Sequence, residues 1–341
     1  MQPLEQELDE LAAETEYSGV VRVDGPDGLV LERAYGLADR AHGIPNTAGT
    51  RFALASGAKG FTALTVVSLV EDGVLSLSDT ARTWLGDDLP EVDDSVTIEH
   101  LLSHRSGIGD YLDEEELDDV DAYVMPVSVH ELATSEQYLA VLAGHPRKFT
   151  PGERFSYSNS GYVVLAVVAE RAAGLPFHEL VGERVCAPAD LRDTAFLRSD
   201  ELPGDAAIGY VHVDGRWRSN VFHLPVRGSG DGGIYSTAAD VTRLWEAFAA
   251  GRIVSDAWAA EMTRPHTELL SEDGHYGLGF WLGRGGGLVE LRGADAGVSF
   301  RSVHDRRRGI VHAAISNTSE GAWAPSRLLD ERLETGREEN D

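Results

Sequence analysis

Phe52-Ala-Leu-Ala-Ser56-Gly-Ala-Lys59-Gly-Phe-Thr-Ala-Leu-Thr-Val-Val-Ser-Leu69 is the stretch that decides how this chain folds. A short apolar approach, Phe52–Ala55, leads to a serine. Gly57–Val70 is almost wholly apolar or small, so it reads as a buried helix whose glycines and alanines permit close packing. Ser56 at its entrance has its backbone N–H at a helix N-terminus, where the dipole favours negative charge. Lys59, three residues on, shares the helix face and reaches the hydroxyl. Serine is a weak nucleophile until a base takes its proton, and a buried lysine can be that base. Of 29 basic residues only Lys59 and Lys148 are lysines. Where arginine does nearly all cationic work, a retained lysine points to chemistry that a permanently protonated guanidinium cannot do.

Composition bounds the rest. At 341 residues, with 42% hydrophobic and 25% charged content, the chain can bury a large core. A net charge of −28 disfavours nucleic acid and anionic membranes as partners and favours solubility, with tolerance of salt. One cysteine, Cys186, excludes an internal disulfide and a cysteine zinc site, and its apolar flanks read as buried. Met1–Gly19 has neither a basic nor an apolar leader region, and no apolar run reaches spanning length. A cytoplasmic location and no membrane insertion are expected.

Strand and helix patterns are distributed unevenly. Gly19–Val23 and Leu29–Tyr35 flank Asp24-Gly25-Pro26-Asp27-Gly28, which is hairpin chemistry. From about 80 to 200 the pattern is helix and loop, with helical periodicity over Ile98–His104, His130–Ala143, Gly161–Ala173 and Phe177–Val185. The acidic run inside 112–120 reads as a solvated loop or helix end rather than a substrate-selecting lid. Strands return at Ile208–Val213, Gly277–Leu282, Leu288–Leu291, Val298–Val303 and Ile310–Ile315, interleaved with helices Ala238–Ala249 and Ala257–Thr263 and followed by one near Ser326–Leu333. The expected fold class is α+β: a central antiparallel sheet built from both chain ends, flanked by helices, with an inserted mostly helical lobe. The expected organisation is one catalytic domain over 1–341, with 1–79 and 205–341 as the α/β lobe and 80–204 as the helical lobe.

A second stretch, Pro151-Gly-Glu-Arg-Phe-Ser-Tyr157-Ser-Asn159-Ser-Gly, reads as an exposed loop opening a helix. Tyr157 offers a phenol that can shuttle a proton, and Asn159 an amide. Other templates fail. There is no Gly-x-Ser-x-Gly elbow and no His-Glu-x-x-His, and His100 and His104, four apart, read as structural. The cluster Gly228-Ser-Gly-Asp-Gly-Gly233 marks a tight loop; no lysine follows it, so it is no phosphate-binding loop. No metal and no cofactor is expected.

The order Ser-x-x-Lys, then Tyr-x-Asn, then a glycine-bearing strand near the C-terminus resembles the serine β-lactamase and penicillin-binding-protein superfamily, in particular its class C-like branch of esterases, D-aminopeptidases and carboxypeptidases. Tyr35–Asp39, Phe52–Leu69, Ile98–Gly107, Pro151–Tyr162 and Gly233–Asp240 are also similar to that family's usual stretches, so the likeness runs over about 17–330. The resemblance implies a β-lactamase/transpeptidase-like fold. It implies Ser56 as nucleophile, Lys59 and Tyr157 as the proton relay, and Asn159 on Lys59 or on the substrate amide. It implies an oxyanion hole from the N–H groups of Ser56 and Ala294, with Gly293 and Arg292 beside the substrate. The substrate would be a small ester, amide or peptide.

The third motif departs from the family. Leu291-Arg292-Gly293 precedes Ala294-Asp295-Ala296-Gly297, and leucine stands where the family usually has lysine or histidine. Backbone donation from Ala294 survives this change, but the side-chain charge that helps penicillin-recognising members hold a substrate carboxylate does not. Arg292 would compensate only if it faced the same way, and strand alternation aims it elsewhere. Three readings stay open: an esterase or amidase, a β-lactamase or D-Ala-D-Ala carboxypeptidase, and a catalytically silent binding protein.

Overall fold

The computed structural model describes residues 2–117, 119–268 and 274–335. Its centre is an antiparallel sheet of seven strands. These are β1 (Gly19–Gly25), β2 (Gly28–Tyr35), β3 (His275–Tyr276), β4 (Trp281–Leu282), β5 (Leu288–Asp295), β6 (Val298–Asp305) and β7 (Ile310–Ser316). They lie in the order β2-β1-β7-β6-β5-β4-β3, so the first and last strands of the chain pair inside the sheet, second and third from one edge. The register sets Val20 opposite Ile315 and Val21 opposite Ala314. Successive side chains on a strand point to opposite faces. Val20, Ala313 and Ile315 therefore join one core, and Val21, Val23 and Ala314 the other.

Five longer helices cover these faces: α1 (Gln2–Thr15), α2 (Ala58–Glu71), α3 (Asn159–Ala173), α4 (Ala238–Ala249) and α5 (Trp323–Thr335). α1 and α5 cover one face, with Leu8, Ala12, Ala322 and Leu329 packed on β1 and β2, and an Arg332–Glu7 ion pair joins them. α2 and α4 cover the other, where Trp245 donates to Ser302 Oγ at 2.9 Å. All residues of α2 from Ala58 to Leu69 are buried, as befits a helix apolar on every side. α3 packs along α2 and is buried from Asn159 to Ala169. Among the described residues no single helix is long and apolar enough to cross a membrane. The expected α+β class with a sheet built from both chain ends is thus observed, and residues 80–204 add no strand to that sheet among those described.

Three expected elements differ. His130–Ala143 is not one helix but three short pieces, Val129–Glu131, Ser135–Tyr138 and Leu139–Leu142. Thr134 breaks it: its backbone is extended, and it forms a reciprocal capping box with Gln137 that starts a fresh turn. Ile208–Val213 does not enter the main sheet. Tyr210–Val213 pairs instead with Arg216–Ser219, because Asp214 and Gly215 both take positive φ, 52° and 72°, the turn that closes a two-residue hairpin. Gly277–Leu282 is split, since Gly277 donates to the Phe280 carbonyl and the chain reverses between β3 and β4. Of the charged tail, residues 336–341 lie outside the described residues.

Candidate active site

Ser56 lies in a single tight turn, Ala55–Gly57, at the mouth of α2. Ala55 has φ +44°, a left-handed conformation that is costly for a residue with a side chain. Backbone bonds on either side hold it there: Leu54 N–H to the Ile234 carbonyl at 2.9 Å and Gly57 N–H to that of Leu54 at 2.8 Å. β5 runs directly behind the turn. A Cβ on Gly293 would lie 2.2 Å from the Leu54 carbonyl oxygen and 2.9 Å from the Ser56 nitrogen, so only glycine admits this approach. β4 pairs with β5 only at Val289 and Glu290, which leaves the edge from Leu291 to Asp295 open beside the serine.

The Lys59 side chain is 2% exposed and has three partners. Its Nζ lies 2.9 Å from Ser56 Oγ, 2.7 Å from Asn159 Oδ1 and 2.8 Å from the Asp231 carbonyl oxygen. The two carbonyl oxygens can only accept. A neutral amine has two N–H bonds and one lone pair, so once both hydrogens are given to the carbonyls the lone pair faces Ser56, the one partner able to donate. Burial pulls the Lys59 pKa below that of free lysine, against the attraction of Asp231, Glu114, Asp110 and Asp295.

Tyr157 completes the group. Its ring stacks on Trp281 at 6.0 Å and packs tilted against His104 at 4.3 Å, and Lys59 Nζ sits 4.8 Å from the ring centroid. Burial, with Glu114 and Tyr276 nearby, holds the phenol protonated, although its contact with Ser56 acts the other way. His104 is structural. Its Nδ1 accepts from Ser158 N–H at 3.0 Å, and burial with Lys59 nearby keeps it neutral. His100 is structural too, closing a capping box with Thr97. Cys186 is buried, as its flanks imply, and its thiol is pushed up to about 12 by burial.

Asn159 is the first residue of α3. Its amide nitrogen donates to the Leu112 carbonyl at 2.8 Å and to Glu114 Oε1 at 3.2 Å. Asp110 caps the helix, taking Asn159 N–H at 2.7 Å and Ser160 N–H at 3.0 Å. The acidic segment read from sequence as a solvated loop is exposed at Glu114–Glu116, but it is anchored. Lys148, the lysine with no partner motif, ties it down through Asp113 Oδ2 at 2.7 Å and Glu115 Oε2 at 3.5 Å. Asp118 of that run lies outside the described residues.

The structure brings Ser56, Lys59, Tyr157, Asn159 and Gly293 together, with Ala294 exposed on the strand just beyond. It removes Arg292 from the substrate side. Leu291 faces α2, where its Cδ2 would lie 2.5 Å from a Cβ on Gly60, and Arg292 faces the opposite way. The Arg292 guanidinium bonds Glu290 at 3.0 Å and lies over the Trp281 ring. The place of the usual cation is thus filled by a buried leucine. Reasoning from sequence missed Asp110, Glu114, Asp231 and Asp295. Asp231 had a signal, because it sits in a glycine cluster tight enough that a Cβ on Gly230 would meet the Tyr162 carbonyl oxygen at 2.1 Å. Only tertiary pairing reveals the other three.

This fold, an antiparallel sheet with helices on both faces, is that of solved penicillin-binding proteins. The crystal structure of a penicillin-binding protein from Bacillus halodurans has a TM-score of 0.90 to this chain at 33% identity, covering 95% of this chain and 99% of that one. The beta-lactamase family profile matches residues 4–337, and the chain belongs to that family. Esterase EstB of Burkholderia gladioli is 34% identical over 274 residues, 71% of this chain and 68% of its own length. A penicillin-binding protein of Bacillus subtilis (strain 168) is 27% identical over 332 residues, 91% of this chain and 70% of its own length.

Proposed function

We propose that the protein is a serine hydrolase that cleaves an ester or amide bond through an acyl-enzyme at Ser56. The observation that carries this is the wiring of Lys59, whose Nζ lies 2.9 Å from Ser56 Oγ while its other two partners can only accept, so that the amine, once neutral, turns its lone pair to the hydroxyl. Neutral Lys59 takes the hydroxyl proton as Oγ bonds to the substrate carbonyl carbon. The carbonyl electron pair moves to its oxygen, which the N–H groups of Ser56 and Ala294 stabilise. Tyr157, a protonated phenol at rest, hands a proton to the leaving group and is reprotonated from Lys59. Water then attacks the acyl-serine with the relay run in reverse. Asn159 holds the Lys59 amine in place.

Esterase and D-aminopeptidase relatives support hydrolysis of small esters or amides. Relatives named for penicillin binding keep a second reading in view, and Leu291, with no charge to offer a carboxylate, weighs against it. The test is a fluorophosphonate probe followed by mass spectrometry, together with turnover of p-nitrophenyl butyrate and nitrocefin. The expected result is label on Ser56 and turnover of the ester above nitrocefin. An unlabelled Ser56 with no ester turnover overturns the hydrolase reading, and faster nitrocefin turnover moves the function to the second one.

A further inference from the structure

A cavity opens between the 220–235 segment and the end of β5, lined by Tyr111, Leu224, Val226, Tyr235, Asp231 and Asp295, and it adjoins the Ser56 site through Asp231, whose carbonyl accepts from Lys59 Nζ at 2.8 Å. Its lining is mostly apolar, with Ser199, Asn220 and the two carboxyl groups as polar points, and no lysine or arginine among the described residues lines it. The two carboxylates are not equivalent. Asp231 is 7% exposed, and its Oδ2 accepts from the Tyr111 hydroxyl. Asp295 lies one residue beyond Ala294, and the one hydrogen bond its carboxylate makes among the described residues is from Ala296 N–H to Oδ1, at 3.0 Å. A third carboxylate, Glu114, is close by and accepts from Asn159 Nδ2 at 3.2 Å. The cation that could have balanced them is absent at 291, and Arg292 is turned to Glu290. Lys59 is the one amine near, and its three partners are already fixed.

Burial, with Asp231 and Glu114 nearby, pushes the Asp295 pKa up to about 7, so a positive group carried on a hydrophobic frame would draw this under-satisfied carboxyl to its ionised form, whereas a substrate carboxylate would meet only repulsion. We propose that this cavity receives the ammonium or guanidinium group of a cationic ester or amide, and that Asp295 is the residue that selects it. The proposal rests on the reading of Ser56 as nucleophile and names the substrate class for that site. It inverts the usual sign, in which the third motif supplies a cation for a carboxylate.

Three p-nitrophenyl esters of equal chain length test it: one ending in trimethylammonium, one in tert-butyl and one in carboxylate. The purified protein is expected to turn over the cationic ester with kcat/KM about tenfold above the neutral one, and the anionic ester more slowly than either. Asp295→Asn is expected to bring the cationic-to-neutral ratio to within about twofold. Should that variant not fold, the unmodified protein in 20 mM and 500 mM NaCl serves instead, and the same ratio is expected to shrink in high salt. Turnover of the neutral ester with the anionic ester equal to or faster than the cationic one overturns this inference and leaves the hydrolase reading intact. So does a ratio unchanged by both Asp295→Asn and salt. Failure to turn over all three overturns the hydrolase reading and this inference with it.

Discussion

At Lys59 the difference between lysine and arginine is one lone pair. An arginine there could still donate to Asn159 Oδ1 and to the Asp231 carbonyl, the two contacts that hold the amine at 2.7 and 2.8 Å. It could not take the proton of Ser56. Lys59→Arg is therefore expected to lower kcat/KM for a neutral ester by about 10²–10⁴-fold, the usual worth of a general base. The larger guanidinium in a fully buried place adds about 1–3 kcal/mol of overpacking cost, so circular dichroism should report a folded protein of lower melting temperature. Near-normal activity in this variant would remove Lys59 from the mechanism. The same residue sets the acid limb of the pH profile. The neutral amine is the reactive form, so activity rises with pH through the Lys59 pKa. Because burial pulls that pKa below the 10.5 of free lysine, the midpoint measured on a neutral ester should fall below 10.5, and a midpoint at or above it counts against the assignment.

Among the elements, the segment 110–115 does more than its charge suggests. It caps α3 through Asp110, fixes Asn159 through Leu112 and Glu114, and is fastened by Lys148 to Asp113 and Glu115. Burial works against the charge on Lys148 most strongly of any one cause, but the hydrogen bond to Asp113 and the charges of Asp113, Glu115 and Asp110 together outweigh it and raise the pKa. The Lys148 and Asp113 side chains are 19% and 15% exposed, so the pair is worth more than a surface bridge, on the order of 1–2 kcal/mol. That energy fastens one segment and not the whole fold. Lys148→Met is expected to raise KM for the cationic ester severalfold while shifting the melting temperature by no more than about 3 °C. An unchanged KM would show that the segment holds itself in place. This fastening was illegible in the sequence because Lys148 and Asp113 are 35 positions apart and no motif joins them. Ser56 and Lys59 were legible because a helix face makes them neighbours by spacing alone. Tyr157 and Asn159 were legible only through resemblance, since a loop tyrosine and a helix-opening asparagine have ordinary structural uses.

For the whole molecule, strand patterns at both ends of the chain were enough to expect one sheet closed by its termini, and β1 against β7 fulfils that. They were not enough to tell a sheet strand from a strand in a small hairpin. Tyr210–Val213 and Ile310–Ser316 have similar apolar content, and the Asp214-Gly215 turn separates them. Charge is the property of the whole that no element explains. With 57 acidic residues against 29 basic ones, carboxylates without a basic partner remain even when every arginine and lysine is paired. Some arginines, such as Arg171 between Asp88 and Glu136, already take two carboxylates. Salt weakens both the pairs and the repulsion, but the pairs are short contacts while the repulsion sums over the molecule at long range. The Debye length falls from about 30 Å at 0.01 M to about 8 Å at 0.15 M, which removes distant repulsion first and contacts near 3 Å least. The melting temperature at pH 7 is therefore expected to rise by about 2–5 °C between 10 mM and 300 mM NaCl. The rise should shrink as the pH is lowered toward the sequence isoelectric point near 4.7, because protonation removes the same repulsion. Calorimetry across that grid checks both. A melting temperature that falls with salt at pH 7 would mean that the ion pairs, and not the surplus of carboxylates, govern stability.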